Sequence, residues 1–162
     1  MVVNSINAGG SVPDTIANAD VFPRAARALI AALARHPATR LLVVGGAGSL
    51  EVRPGVQLVD TEDFARTLRE VLGAPAEYER VVRAHREALD LYRVSNRNWT
   101  YLSPSGGLVR AGVRTGRFRV GGDRLLVRED GIGDITADDL AVAILDEIEI
   151  PRHVQRRFTV GY

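Results

Sequence analysis

Leu41-Leu42-Val43-Val44-Gly45-Gly46-Ala47-Gly48 is the stretch on which the fold turns. Four consecutive apolar residues leave no polar side, so the strand they form needs cover on both faces. Strands of this kind lie in parallel sheets sandwiched between helices. The glycines that follow mark the carboxyl end of the strand, where open α/β sheets bind their ligands.

Upstream, Ala19 to Arg35 carries a helical stripe of Phe22, Ala26, Leu29, Ile30 and Leu33, with Pro23 in the first turn and Pro37 beyond the end. Before it, Met1-Val2-Val3 reads as the tail of a buried strand that runs into the turn Asn4 to Gly10. Downstream, residues 49–59 read as loop. Asp60 or Thr61 is expected to cap a short helix with apolar positions Phe64, Leu68, Val71 and Leu72, closed by Gly73. A longer helix spans Ala76 to Val94, and its stripe of Tyr78, Val81, Val82, His85, Leu89 and Tyr92 puts a histidine on the apolar face. Trp99 to Leu102 is a second strand, followed by the turn Ser103-Pro104-Ser105-Gly106-Gly107. Arg117–Val120 and Leu125–Val127 read as the arms of a hairpin about Gly121-Gly122-Asp123. Thr136 caps a last helix with the face Leu140, Ala141, Ile144, Leu145 and Ile148, and Phe158-Thr159-Val160 is the final strand. The alternation predicts an α/β, Rossmann-like parallel sheet with helices on both faces and a small C-terminal hairpin region, as one domain over residues 1–162. Three strand ends rich in small and polar residues, Asn7–Gly10, Gly45–Ser49 and Ser103–Gly107, point to a nucleotide-like ligand across the strand tips.

Composition narrows the function. The 162 residues and 17.6 kDa suit a single core. Basic and acidic residues number 21 and 20, a balance that argues against nucleic acid or an anionic membrane surface as partner. There is no cysteine, which excludes disulfides, thiolate metal sites and cysteine nucleophiles. His36, His85 and His153 lie too far apart in sequence to suggest a metal centre. No apolar run is long enough for a membrane span or a signal peptide, so a cytoplasmic protein is expected.

From Leu41 to Tyr162 the chain resembles the atypical short-chain dehydrogenase/reductases, in particular the NmrA-like, NAD(P)H-binding branch that includes flavin and biliverdin reductases. The resemblance rests on RLLVVGGAGSL (residues 40–50), HREALDLYRVSNRNWTYLSP (85–104) and GDITADDLAVAILDEIE (133–149), with NSINAGG (4–10) resembling the turn after the family's fourth strand. It covers only the family's second half. The GxxGxxG turn that holds the pyrophosphate at a helix N-terminus is absent, and two βα units, about 60 residues, are expected to be missing. A late start or a half-domain that needs a partner would account for this. In the usual strand order the missing first strand lies beside the fourth, so Val2-Val3 is expected on an exposed edge that drives homo-oligomer formation.

The resemblance implies NAD or NADP as cofactor, with Asn7, Ala8 and Gly9 on the adenosine side, Ser103, Pro104 and Ser105 near the nicotinamide, and a turn at Gly45 and Gly46 whose backbone can approach the cofactor. His85 falls where the family carries its helix lysine, fifteen residues before Thr100, and the family's tyrosine four residues earlier is replaced by Val81. A histidine there can bond a ribose hydroxyl or titrate near neutrality; equally, it can be a bonded core residue. Ser49 lies near the place of a substrate-facing hydroxyl, shifted from the family's serine. The glycine and serine turns can also be plain chain reversals. Arg152, Arg156 and Arg157 read as a solvated basic tail. With the tyrosine gone, an NAD(P)H-dependent oxidoreductase of the flavin or quinone type, acting on a small molecule, fits better than an alcohol dehydrogenase. A non-catalytic dinucleotide sensor and a self-associating fragment without a ligand are the alternatives.

Overall fold

The computed structural model describes residues 1–131 and 133–162 of the chain. β1 (Val2–Asn4) leads through helix α1 (Val12–Ala17) into α2 (Val21–Leu33) and β2 (Leu41–Val44). The small antiparallel pair β3 (Glu51–Arg53) and β4 (Val56–Gln57) precedes α3 (Phe64–Leu72) and α4 (Glu79–Arg93). Then come β5 (Trp99–Pro104), β6 (Leu108–Arg110), β7 (Arg119–Gly121), β8 (Asp134–Thr136), α5 (Ala137–Glu149) and β9 (Arg156–Gly161).

The main sheet has the order β1-β2-β5-β9-β7. Its first four strands are parallel, as the unbroken apolar run Leu41–Val44 predicts, and β7 joins antiparallel to β9. Each crossover between parallel neighbours of this sheet contains a helix, because a parallel return must travel the length of the sheet. Side-chain alternation divides the core between two faces. Leu41, Val43, Trp99 and Tyr101 point to α2 and α4 and meet Phe22, Ala26, Val81 and Leu89. Leu102, Phe158 and Val160 point the other way, where Ile135 and the α5 residues Leu140 and Ala143 cover them. At the free edge of the sheet, β1 leaves Val3 46% exposed.

Several local expectations are corrected. The helix expected over Ala19–Arg35 is found as α2, and a further helix, α1, precedes it: Ser11 caps α1 with its hydroxyl accepting from the Asp14 N–H, and Pro13 lies in the first turn. α3 starts at Phe64 without help from Asp60 or Thr61: Asp60 instead takes Arg86 at 2.8 Å, and the Thr61 hydroxyl donates to the Leu58 carbonyl. Gly73 does close α3, at φ 62, and Thr136 does cap α5 by accepting from the Asp139 N–H. Arg117–Val120 and Leu125–Val127 do not form a hairpin. β7 pairs with β9, while the chain beyond it runs beside β3: Glu51 N–H donates to Asp123 O, and Leu125 N–H donates to Glu51 O. The reason is tertiary, since Arg157 holds Asp123 with its Nε 2.9 Å from Oδ1. On α5, Ala141 and Leu145 face solvent, and Glu147 faces inward. Glu147 is buried because its carboxylate accepts from the N–H groups of Arg152 and His153 and lies 2.8 Å from His153 Nδ1.

Candidate active site

A cleft of about 830 Å³ opens at the carboxyl ends of β1, β2 and β5. Its floor is backbone. A Cβ on Gly45 would lie 2.0 Å from the Tyr101 ring, and one on Gly48 would lie 1.9 Å from Val82 Cγ1. Only glycine lets the turn after β2 lie flat on Tyr101 and α4, and the room saved becomes the cleft. At the β5 tip, Gly106 takes φ +64, and a Cβ there would lie 2.0 Å from the Gly133 carbonyl oxygen. Tyr101 is the buried support beneath this floor: its hydroxyl donates to the His85 carbonyl at 3.1 Å and accepts from the Gly46 N–H. Burial pushes its pKa up, so it remains a neutral phenol.

The walls are mostly apolar, formed by Ile6, Phe64, Leu72, Val81, Val82 and Leu140. His85 and Tyr78 are the titratable side chains that line the cleft. The His85 ring packs on Phe22 with centroids 3.8 Å apart, and the site of a Gly46 Cβ lies 3.2 Å from its Cγ. Burial lowers its pKa to about 4, which corrects the expectation of titration near neutrality. The imidazole is therefore neutral at physiological pH. Neither ring nitrogen has a hydrogen-bond partner among the described residues, so it is not the bonded core histidine of the plainer reading. One nitrogen of a neutral imidazole donates and the other accepts, so the ring can bond a hydroxyl in either sense.

The residues singled out in the sequence divide into two groups. Asn7, Gly45, Gly46, His85 and Pro104 line the cleft together. Asn7 also ties its own turn, accepting from the Ala8 N–H and donating to Gly9 O, each at 2.9 Å. Ala8, Gly9, Ser49, Ser103 and Ser105 do not line it. Ala8 is buried in the core cluster with Phe22 and Val81, and a Cβ on Gly9 would come within 2.4 Å of Asp14 Cβ, so Gly9 presses on α1. Ser49 is buried and accepts from Arg157 Nη1 at 2.8 Å. The Ser105 hydroxyl donates to the Leu126 carbonyl at 2.6 Å and accepts from the Leu126 N–H. The Ser103 hydroxyl is buried without a partner among the described residues, and the Ser103 carbonyl accepts from the Thr159 hydroxyl. Arg157 is likewise no solvated tail: its side chain is 2% exposed. Sequence reading assigned Tyr78 to packing, yet it also lines the cleft, with its phenol pKa raised by burial. Its place two helical turns before His85 was the available signal.

Residues 1–151 match the NAD(P)H-binding family. The chain belongs to that family. A candidate NADH-flavin reductase from Streptococcus pneumoniae TIGR4 is 31% identical, with TM-score 0.80 over 98% of this chain and 70% of its own. A candidate exported protein from Burkholderia pseudomallei is 42% identical, with TM-score 0.76 over 89% of this chain and 65% of its own. The uncharacterized protein YwnB of Bacillus subtilis (strain 168) is 39% identical over 158 residues, which are 96% of this chain and 68% of YwnB. The chain therefore spans roughly two thirds of the length of these relatives. The resemblance drawn from the sequence and the Rossmann-like α/β class both hold. The parallel order of β1, β2, β5 and β9, with helices on both faces, matches the fold of the pneumococcal structure. No helix among the described residues is long and apolar enough to cross a membrane.

Proposed function

We propose that the cleft at the carboxyl ends of β1, β2 and β5 holds the nicotinamide end of NADH or NADPH, and that the protein is a reductase acting on a flavin or quinone. One observation carries this reading: bare backbone at Gly45, Gly46 and Gly48 meets an apolar wall and a neutral His85, with no carboxylate, lysine or arginine among the lining residues. A flat, uncharged nicotinamide ring suits that surface. Backbone without Cβ lets it approach closely, and His85 would bond a ribose hydroxyl. When bound, the reduced cofactor supplies a hydride, which passes with its electron pair to the acceptor. Solvent supplies the accompanying proton. The walls offer no strong acid, since His85 is deprotonated and the Tyr78 phenol is a weakened one. An acceptor that needs little proton help is therefore favoured over a carbonyl. The name carried by the pneumococcal relative points the same way.

The reading extends to the nicotinamide end because the described residues offer no glycine turn opening directly into a long helix on this cleft. The turn after β2 runs into β3, and α1 is only 6 residues long. A second reading, a dinucleotide sensor without turnover, is favoured by the commitment of the Ser49 and Ser105 hydroxyls to structural bonds. Thermal-shift titration with NADPH and NADH tests the binding. At a hundred times the dissociation constant, stability should rise by about 2.7 kcal/mol, a shift of a few degrees. No saturable shift with either overturns the proposal. Binding without NADPH oxidation in the presence of flavin mononucleotide or a soluble quinone selects the sensor reading. Self-association through the free edge of β1 remains part of the proposal, and a dispersed monomer in gel filtration would remove it.

A further inference from the structure

The amino ends of β5 and β9 border a second cleft, of about 700 Å³, which the proposed function does not use. Trp99 is the first residue of β5 and Arg156 the first of β9, and both line it, whereas the nicotinamide cleft begins at Pro104. Arg93 at the end of α4, Arg157 of β9 and the glycines after β7 complete its wall.

Donors dominate this cleft. Asp123 is the one carboxylate lining it, and it already faces two guanidiniums: Arg157 Nε at 2.9 Å and Arg93 Nη2 at 3.1 Å, both on Oδ1. Arg156 has no side-chain partner among the described residues. The Trp99 indole N–H also lacks one there, although the residue is only 4% exposed. Arg93 is also held from outside the lining, by Asp90 3.2 Å from its Nη1, so three arginines against two aspartates leave a surplus of one positive charge. His153, at the rim, is paired with the buried Glu147.

Backbone strain marks the same place. Gln155, with φ 53, is the one non-glycine residue at positive φ among those described. It is held there by its N–H on the Trp99 carbonyl at 2.6 Å and by its side chain on the Arg97 carbonyl. A left-handed glutamine costs energy that the fold offsets elsewhere, and such positions concentrate at ligand sites.

We propose that this amino-end cleft binds the phosphoryl group of a small molecule. Arg156 and Arg93 contact the phosphate oxygens, Arg157 lies beneath as a buried charge, and the Trp99 N–H supplies a further donor. The surplus positive charge attracts a phosphate, and the planar guanidinium fork fits its oxygens in a way that a carboxylate-rich or neutral cleft cannot.

Trp99 is the only tryptophan of the chain and serves as a reporter inside the cleft. The full chain is titrated with inorganic phosphate and with pyrophosphate at constant ionic strength, so that general screening is held fixed. Trp99 fluorescence and the indole N–H resonance are followed. The expected result is a saturable change in both, weakened about tenfold in Arg156→Gln, where an exposed side chain is altered and the fold is kept. Arg93→Gln should weaken it as well. An anion bound only in the nicotinamide cleft leaves the indole resonance unmoved, and that outcome overturns the proposal. An equal response in wild type and both variants overturns it too.

Discussion

The two ends of one sheet are built from opposite materials. At the carboxyl ends, β2 and β5 run out into glycine turns, and the cleft is apolar around one neutral imidazole. At the amino ends, the wall is arginine around a single aspartate. Both cavities are of similar size, at about 830 and 700 Å³, so volume does not decide what each can hold. Chemistry does. Parallel strands place every strand exit on one side, where glycine turns can converge, and every strand entry on the other. The lesson is that strand direction sorts residues into two sites that lie far apart in character while sharing β5.

The largest expected effect breaks the carboxyl-end cleft alone. Gly45→Ala drives a methyl group into the Tyr101 ring, 2.0 Å away, so the turn must lift. Urea unfolding should show a loss of about 3 kcal/mol, and the thermal shift with NADPH should vanish while the Trp99 response to pyrophosphate is retained. Loss of both responses would mean that the two ends are not separable.

Next is the pH dependence that His85 imposes. Its folded pKa of about 4 is depressed from an ordinary 6.5, so the unfolded chain takes up the proton first as pH falls. Stability is therefore full above pH 6.5, declines as pH drops through the window, and levels off below about 4. The total is roughly 3 kcal/mol, at 1.36 kcal/mol per unit. His85→Phe should flatten this part of the stability profile. A profile of the same slope in wild type and variant would show that His85 is not buried neutral.

A smaller effect sharpens the boundary between the sites. Ser49→Ala removes the hydroxyl that accepts from the buried Arg157 Nη1 and should cost about 1–2 kcal/mol in thermal unfolding. NADPH turnover per folded molecule should stay unchanged. A collapse of turnover at unchanged stability would restore the catalytic role expected from the sequence.

Sequence alone determined what depends on local pattern. The apolar run Leu41–Val44 required a strand covered on both faces, and Leu42, 0% exposed, obeys it. The helical stripe through Val81, His85 and Leu89 faced the core because period, length and cap signals agreed. The glycines after β2 marked a strand exit, and Asn7, Gly45, Gly46, His85 and Pro104 do meet in one cleft. What sequence left open was set by partners distant in the chain. Nothing local says that Asp123 will bind Arg157 rather than turn a hairpin, or that Arg157 will claim Ser49 108 residues away. Nor does spacing announce that Leu126 takes the Ser105 hydroxyl, or that Gly9 must press on Asp14. A serine beside a glycine turn looks the same whether it faces a ligand or a buried arginine. Which of the two it faces is decided by burial, since a buried donor must be satisfied by whatever acceptor the fold brings within reach.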